Sequence, residues 1–151
     1  MAFDITATLD ALLTHLKGAG HFEHVQIGEP KSPPSTTGLT GAVFMSSVGV
    51  IDITLGNALE SHIVTLRTYL NMMHEPQKDI ELKLSAAVSK IITDLLADWN
   101  LGGAVHGIDS SGEFGASIGT TWGYLELGGT IYRTADITLP IMVDSAVTLT
   151  Q

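Results

Sequence analysis

The chain has 151 residues, and we expect it to form one domain over residues 1–151. Sixteen Asp and Glu residues against seven Lys and Arg residues give a net charge of −9, and the basic residues are scattered singly. A nucleic-acid-binding protein needs a basic patch that displaces phosphate counterions, so this balance argues against stable DNA binding. The absence of cysteine excludes disulfides and thiolate metal ligands.

The low charge density also predicts how the surface is used. Charged residues make up only 15% of the chain, against about 25% in an average soluble domain. This low charge density predicts that part of the surface is buried against other copies of the chain. The alternative is a monomer with an uncharged surface. The N terminus carries no basic segment, and no apolar run approaches roughly 18 residues, so we expect neither a signal peptide nor a membrane span.

The first half of the chain predicts one helix and three extended segments. Leucines at helical spacing predict a helix over residues 5–17, with Asp4 as its N-cap. A short extended segment over residues 22–28 follows. Residues 29–38 predict an exposed loop, because their prolines lack the amide donor that a helix or a ladder requires. Apolar and β-branched residues then predict two strands, 39–53 and 61–71, joined by a connection over residues 53–58.

A long helix is predicted after Asp79, with about 20 residues and a wide apolar stripe. Turn residues over 109–113 separate two predicted strands, 104–109 and 116–127, and Gly128-Gly129 predicts a two-residue hairpin. The last strand, 130–143, alternates well, and we expect Pro140 to lie at a sheet edge or beyond the ladder. The helix stripe consists of Ile80, Leu84, Ala87, Val88, Ile91, Ile92, Leu95 and Trp99. In the last strand Ile131, Ala135, Ile137, Leu139, Ile141 and Val143 face one way, and Thr130, Tyr132, Thr134, Asp136 and Thr138 face the other.

The element order α-β-β-β-α-β-β-β predicts an α+β fold. We expect an antiparallel or mixed β-sheet packed on one face by the N-terminal helix and the long central helix.

A search for catalytic or metal-binding patterns favours a protein without an active site. Residues 115–119 match G-x-S-x-G around Ser117, but the last histidine, His106, precedes that serine, whereas the hydrolase order requires a later one. His21 and His24 lie in an extended segment and therefore point to opposite faces. We expect no catalytic residue, no metal and no cofactor, and a small serine hydrolase built on Ser117 is the less favoured alternative.

An ordered set of motifs over residues 60–145 resembles the tail terminator proteins of actinobacterial siphophages. The segment Tyr69-Leu70-Asn71-Met72-Met73-His74-Glu75-Pro76-Gln77 is similar to the turn with which the family ends a strand and begins its long helix. Similar steps follow in the same order: Leu101-Gly102-Gly103, Gly123-Tyr124-Leu125, Tyr132-Arg133 and Ile137-Thr138-Leu139-Pro140.

The resemblance implies a structural virion protein that forms a homohexameric ring at the head-proximal end of the tail. Such a ring binds the tail tube protein, ends tube polymerisation and offers a surface to the head–tail connector or stopper protein. Genomic DNA passes through the lumen without specific binding, and no membrane is involved. The implied localisation is the neck region of the virion, after assembly in the host cytoplasm. Another neck, head-completion or tail ring protein of the same virion is the alternative.

Three segments without catalytic motifs are our candidates for contacts with other subunits and partners: the loop 30–38, the turn 71–78 and the C-terminal tail. Unpaired sheet edges are the other candidates, because they are ready to pair with another chain. The individual candidate interface residues are Pro33, Pro34, Thr36, Asn71, Met72, Met73, His74, Glu75, Pro76, Leu149 and Gln151.

Overall fold

The computed structural model describes residues 5–33, 38–54, 56–73, 76–110, 112–113, 115 and 117–146. The two helices are α1 (Ile5–Ala19) and α2 (Gln77–Ala97), and a short 3-10 turn spans Leu101–Gly103. The six strands are β1 (His24–Ile27), β2 (Thr40–Thr54), β3 (Asn57–Asn71), β4 (Gly107–Ile108), β5 (Gly119–Leu127) and β6 (Thr130–Ala146). Neither helix is long and apolar enough, over these described residues, to cross a membrane.

The six strands form one curled, mixed sheet in the order β1-β2-β3-β6-β4, with β5 also paired to β6. Among the strand pairs of the described residues, the β1–β2 pair is parallel and the others are antiparallel. The predicted α+β class and the predicted order of elements are therefore confirmed. The strands β2, β3 and β6 are 15, 15 and 17 residues long, so they run the full length of the sheet.

Both helices pack on the same face of the sheet, as the order of the elements predicted. Every second residue of β3 from Ala58 to Leu70 is buried, because alternate side chains of a strand point to opposite faces. The main core joins α1, α2 and the three long strands, and the side chains in it that are less than 2% exposed are Leu12, Leu16, Val43, Val64, Leu66, Ile80, Leu84, Ile91, Leu95, Ala135, Ile137, Leu139 and Ile141.

The opposite face carries a smaller second core. Ala42, Tyr69 and Tyr132 are buried there, and the two tyrosine rings meet edge to face with their centroids 6.1 Å apart. The segment after β1 lies near this face, since Glu29 pairs with Arg67. Tyr132 lies on the side of β6 opposite to Ile137 and Leu139, as the alternation predicted, and it is buried there at 2% exposure.

Several predicted boundaries are wrong. The connection expected over residues 53–58 is mostly strand, since β2 continues to Thr54 and β3 begins at Asn57 rather than at residue 61. Gly56 has a φ of +83°, which glycine adopts without the steric cost of a Cβ and which allows the strand to reverse so tightly. The helix α2 begins at Gln77, before Asp79, with Pro76 at its N-cap.

The region after α2 also departs from the prediction. The strand expected over residues 104–109 is limited to Gly107–Ile108, and residues 104–106 form a turn and bend that follow the 3-10 turn. The next strand begins at Gly119 rather than at residue 116. Trp99 does not belong to the buried stripe: it follows the end of α2, is 55% exposed, and its ring packs so closely on Gly107 that a Cβ there would lie 2.9 Å from it.

Pro140 lies inside the sheet, contrary to the expectation of an edge or a position beyond the ladder. It is opposite Ile63 in the β3–β6 ladder. On its other side β6 pairs with β5 only up to Thr138 and with β4 only from Ile141. Pro140 therefore falls in the gap between two partner strands, where its missing amide donor interrupts no pair with either of them. The predicted N-cap Asp4 lies outside the described residues.

Candidate functional site

The residues considered for catalysis do not come together. Ser117 is exposed in the segment that precedes β5. The five histidines that the structure describes have other neighbours: His15 contacts Asp98, His21 contacts Asp94, His24 contacts Gln26, His62 contacts Glu60, and His106 contacts Asp144. The described residues therefore give Ser117 no histidine that could act as its base.

The structure also separates the two histidines considered for a metal. His21 lies 2.5 Å from a carboxylate oxygen of Asp94 on α2, whereas His24 contacts the side chain of Gln26 on its own strand. Over the described ranges, no group of three His, Asp or Glu side chains is arranged to hold a metal ion. The predicted turn at residues 109–113 forms around Asp109, whose carboxylate accepts a hydrogen bond from the backbone of Glu113 at 3.0 Å.

Two of the three predicted contact segments meet at one end of the sheet, around the β5–β6 hairpin. Pro33 is exposed and lies against this hairpin: a Cβ added to Gly128 would be 2.9 Å from its Cγ. The turn after β3 reaches the same hairpin, because the backbone N–H of Met72 donates to Ile131 at 3.0 Å. Met73 is 79% exposed at this end. The sequence did not predict that these two segments are neighbours.

Within the turn after β3, Asn71 has a structural role. Its side-chain oxygen accepts a hydrogen bond from the backbone N–H of Met73 at 2.9 Å, and Met72 is half-buried against the main core. Pro76 is exposed at the start of α2. The remaining candidate interface residues, Pro34, Thr36, His74, Glu75, Leu149 and Gln151, lie outside the described residues.

One side edge of the sheet is formed by the far half of β2. The short strand β1 pairs with β2 only as far as Val43, and no other described strand pairs with residues 44–54 on that side. Along this edge Val48, Val50 and Ile53 are 37%, 49% and 63% exposed. Two β-bulges interrupt the register of this half, and a shallow hollow of about 430 Å³ lies at the bulges.

The other side edge is formed by β5, which pairs with β6 and with no other strand in the described part of the chain. Trp122 and Tyr124 are 42% and 58% exposed on it. Tyrosine, tryptophan and arginine are the residues that most often supply binding energy in protein interfaces. Each edge carries a single charged residue, Asp52 on residues 44–54 and Glu126 on residues 119–127, and neither contains lysine or proline, which commonly block edge pairing.

Tyr124 is held in place by an ion pair that links the β5 edge to α2. The guanidinium of Arg133 lies over the Tyr124 ring, 4.5 Å from its centroid, and donates to both carboxylate oxygens of Glu81 at 2.9 and 3.0 Å. These hydrogen bonds from Arg133 lower the pKa of Glu81, and the same bonds raise the pKa of Arg133. Arg133 therefore stabilises one orientation of the Tyr124 ring on this edge.

A second ion pair lies on the face opposite the helices. Arg67 donates to the two carboxylate oxygens of Asp136 at 2.7 and 2.9 Å, contacts Glu29, and lies 5.4 Å from the centroid of the Phe44 ring. The hydrogen bond to Asp136 raises the pKa of Arg67. Burial raises the pKa of the neighbouring Tyr69 to about 12. Both groups therefore keep their protons across the neutral range.

The exposed residues on the two edges were missed by the sequence analysis. Alternation assigned the strand residues to faces, but it gave no information about which strand ends the sheet. No protein-family model and no curated protein sequence matches this chain.

Proposed function

We propose that the protein is a non-enzymatic structural subunit of a phage virion. It forms a ring at the head-proximal end of a long tail, where it ends polymerisation of the tail tube and joins the tail to the head connector. The resemblance over residues 60–145 supports this proposal. In agreement with it, β3 ends at Asn71 and a short turn leads into the long helix α2.

The observation that carries the proposal is the pair of open edges on opposite sides of one sheet. The edge of β2 over residues 44–54 and the edge of β5 over residues 119–127 differ in sequence and in shape. A contact between different surfaces of identical subunits is head-to-tail, and repetition of such a contact closes into a ring when the rotation between subunits allows it. Within one subunit β2 runs antiparallel to β5. In a ring whose axis is parallel to the strands, the β2 edge of one subunit therefore meets the β5 edge of the next subunit as an antiparallel pair.

The two ends of the sheet remain for partners above and below the ring. One end carries the β5–β6 hairpin with Pro33 and Met73, and the other carries the β2–β3 turn, where β6 also ends at Ala146 opposite Asn57. A cap between a tube and a connector needs two such unlike ends. The net charge of −9 suits a ring through which DNA passes without adhering, because like charges repel.

The test is a pair of edge-blocking variants, Val50→Lys on β2 and Thr121→Lys on β5. Both residues are exposed, so a lysine should leave the fold intact and obstruct strand pairing. We expect the unchanged protein to form six-fold rings at the head-proximal tips of isolated tails in negative-stain microscopy, and both variants to fail. Leu82→Lys, on the exposed surface of α2, is the matched control and should still form rings.

Mixing the two variants tests the head-to-tail contact itself. Each variant keeps one open edge, and the two open edges are complementary, so the mixture should give 1:1 dimers and no ring in light scattering. Assembly of Thr121→Lys alone would mean that β2 edges pair with each other and would contradict a head-to-tail ring. Binding of the unchanged protein to filled heads rather than to tails would favour a stopper or head-completion subunit.

A further inference from the structure

The exposed apolar side chains of the β2 edge point to the helix-covered side of the sheet. Val48, Val50 and Ile53 are the large apolar residues of this edge that are exposed, and we call them the β2 strip. Residues paired across a ladder point to the same side. The partners of the β2 strip on β3 are buried on the helix-covered side: His62, Glu60 and Ala58. The bulge between Val50 and Asp52 takes up one residue, so Ile53 stays on that side.

The exposed aromatic side chains of the β5 edge point to the same side. Trp122 lies opposite Ala135 on β6, which belongs to the main core beneath the helices. Alternation places Thr120 and Tyr124 on that side as well. We call Thr120, Trp122 and Tyr124 the β5 strip. Both open edges of the sheet therefore carry their large exposed apolar side chains on the helix-covered side.

Each strip borders on one of the two helices. The Thr8 hydroxyl of α1 lies 2.8 Å from Nδ1 of His62, one step across the ladder from the β2 strip. At the other edge the ion pair between Glu81 and Arg133 joins α2 to Tyr124 of the β5 strip. The two strips are thus the margins of the helix-covered core, one next to α1 and the other next to α2.

The residues that alternate with the two strips point to the other face of the sheet, and they are small or short. On β2 they are Ser47, Gly49 and Asp52, and on β5 they are Gly119, Thr121 and Gly123. The two edges therefore have the same profile, with bulky apolar side chains on the helix-covered side and small side chains on the other.

A ring whose axis is parallel to the strands preserves this match. Rotation about such an axis leaves the helix-covered side of every subunit facing the same way relative to the axis. Residues directly opposite in an antiparallel pair point to the same side, so the β2 strip of one subunit contacts the β5 strip of the next. Aromatic and β-branched residues form favourable cross-strand pairs, and burial of their apolar area stabilises the contact.

We propose that the helix-covered core continues from one subunit into the next through these two strips, with Val50 opposite Trp122 of the next subunit. This inference rests on the proposed ring and names the side-chain contact that holds the ring together. In this register Val48 lies opposite Tyr124. The bulge after Val50 brings the last residue of the β2 strip opposite the first residue of the β5 strip.

Neighbouring registers match the strips less well. A shift by one residue puts the two strips on opposite sides of the sheet, because alternate residues of a strand point to opposite faces. A shift by two toward the end of β5 puts Val48 opposite Glu126, the single charged residue of that edge. A shift by two in the other direction leaves Tyr124 opposite the bulge at Ser46. The register with Val50 opposite Trp122 is therefore the one that pairs the strips in full.

The first experiment is disulfide cross-linking of the full-length protein, which contains no natural cysteine. Directly opposite residues in an antiparallel pair have Cα atoms about 4.5–5.5 Å apart, a distance that a disulfide spans. Val50→Cys/Trp122→Cys, oxidised after assembly on isolated tails, should therefore give a ladder of covalently linked oligomers on a non-reducing gel. A reducing agent should return the ladder to the monomer.

Two matched controls test the side and the register separately. In Gly49→Cys/Trp122→Cys the first cysteine points to the other face, and a Cβ at Gly49 would meet no atom within 4 Å. In Val50→Cys/Glu126→Cys the second cysteine lies about 13 Å further along β5. Both controls should stay monomeric on the gel. Rings in which Val50→Cys/Trp122→Cys does not cross-link, or in which a control cross-links as fast, would overturn this inference and leave the ring itself standing.

A fluorescence measurement tests the same contact without cysteines, and it carries the test if the cross-linking variant does not assemble. The chain has two tryptophans, so Trp99→Phe/Val50→Lys contains Trp122 alone and keeps its β5 edge open. Thr121→Lys/Trp99→Phe/Trp122→Phe contains no tryptophan and keeps its β2 edge open. Mixing the two should shift the Trp122 emission to shorter wavelength, because Trp122 is 42% exposed before contact and the β2 strip excludes water from it.

The control for this mixture is the same tryptophan-free chain with Val50→Lys added, which has both edges blocked and should cause no shift. Dimers in light scattering with unchanged Trp122 emission would overturn this inference and leave the head-to-tail contact intact. The absence of both dimers and rings would overturn this inference together with the proposed function.

Discussion

The helix-covered face of the sheet is closed by aliphatic side chains, whereas the opposite face is closed by two tyrosines beside an ion pair. On the first face Leu66, Ile137 and Leu139 are completely buried beneath α1 and α2. On the second, Tyr69 and Tyr132 pack against each other next to Arg67. Aliphatic packing has no preferred direction, but the arginine fork requires one geometry. The first face therefore provides most of the stability, and the second fixes the positions of the segments that cross it.

The largest effect should come from the aliphatic face. Leu66→Ala removes buried atoms and leaves a cavity between the helices and the sheet, so we expect the free energy of unfolding to fall by about 2–5 kcal/mol. Leu82→Ala, at a position 59% exposed on α2, should change it by less than about 0.5 kcal/mol. Urea denaturation measures both values. Similar losses for the two variants would show that the aliphatic face does not dominate stability.

A smaller effect should come from the ion pair on the opposite face. Asp136→Ala leaves Arg67 without its two-oxygen partner in a partly buried site, and we expect a loss of about 1.5–3 kcal/mol in urea denaturation. Asp144→Ala removes an equally charged but exposed partner of His106 and should cost at most about 1 kcal/mol. Arg67→Lys keeps the charge but loses the fork, so full stability in that variant would contradict the role of geometry.

The sequence predicted the first face better than the second for a physical reason. Burial under a helix imposes alternation on a strand: every second residue of β3 from Ala58 to Leu70 is buried, as are Ala135, Ile137, Leu139 and Ile141 of β6. Tyr132 was expected beside threonines, on the face of β6 opposite to Ile137. Alternation assigns a residue to one face of a strand, but it does not show whether other side chains cover that face. The cover comes from Phe44, Leu125 and Leu127 on the neighbouring strands, which pack against Ala42, Tyr69 and Tyr132.

The candidate edges were beyond sequence reasoning for a similar reason. Whether a strand ends a sheet depends on which strands pair, and the four residues of β1 stop at Val43 and so leave the rest of β2 open. The buried contact between His62 and Glu60 was also missed, because Glu60 fell just outside the predicted strand 61–71 and its shared face with His62 was not recognised. A register extended to Asn57 would have placed the two ionisable residues side by side in the core.

The smallest effect tests whether the segment after β1 is held against the β5–β6 hairpin. Gly128 and Gly129 have φ values of +54° and +85°, as a two-residue hairpin with both central residues in the left-handed region requires. Gly128→Ala should cost about 1–2 kcal/mol from the backbone conformation alone. The new methyl group would also meet the ring of Pro33, since an ideal Cβ lies 2.9 Å from its Cγ.

A double-mutant cycle separates the two contributions. In Pro33→Ala the ring is absent, so the cost of Gly128→Ala should shrink to its backbone part, and the coupling between the two substitutions should be at least about 0.5 kcal/mol. Gly129→Ala, whose Cβ would meet no atom within 4 Å, should show no coupling to Pro33→Ala. Equal coupling for both glycines would place the Pro33 segment away from the hairpin in solution, and the second face would then be closed by its tyrosines and its ion pair alone.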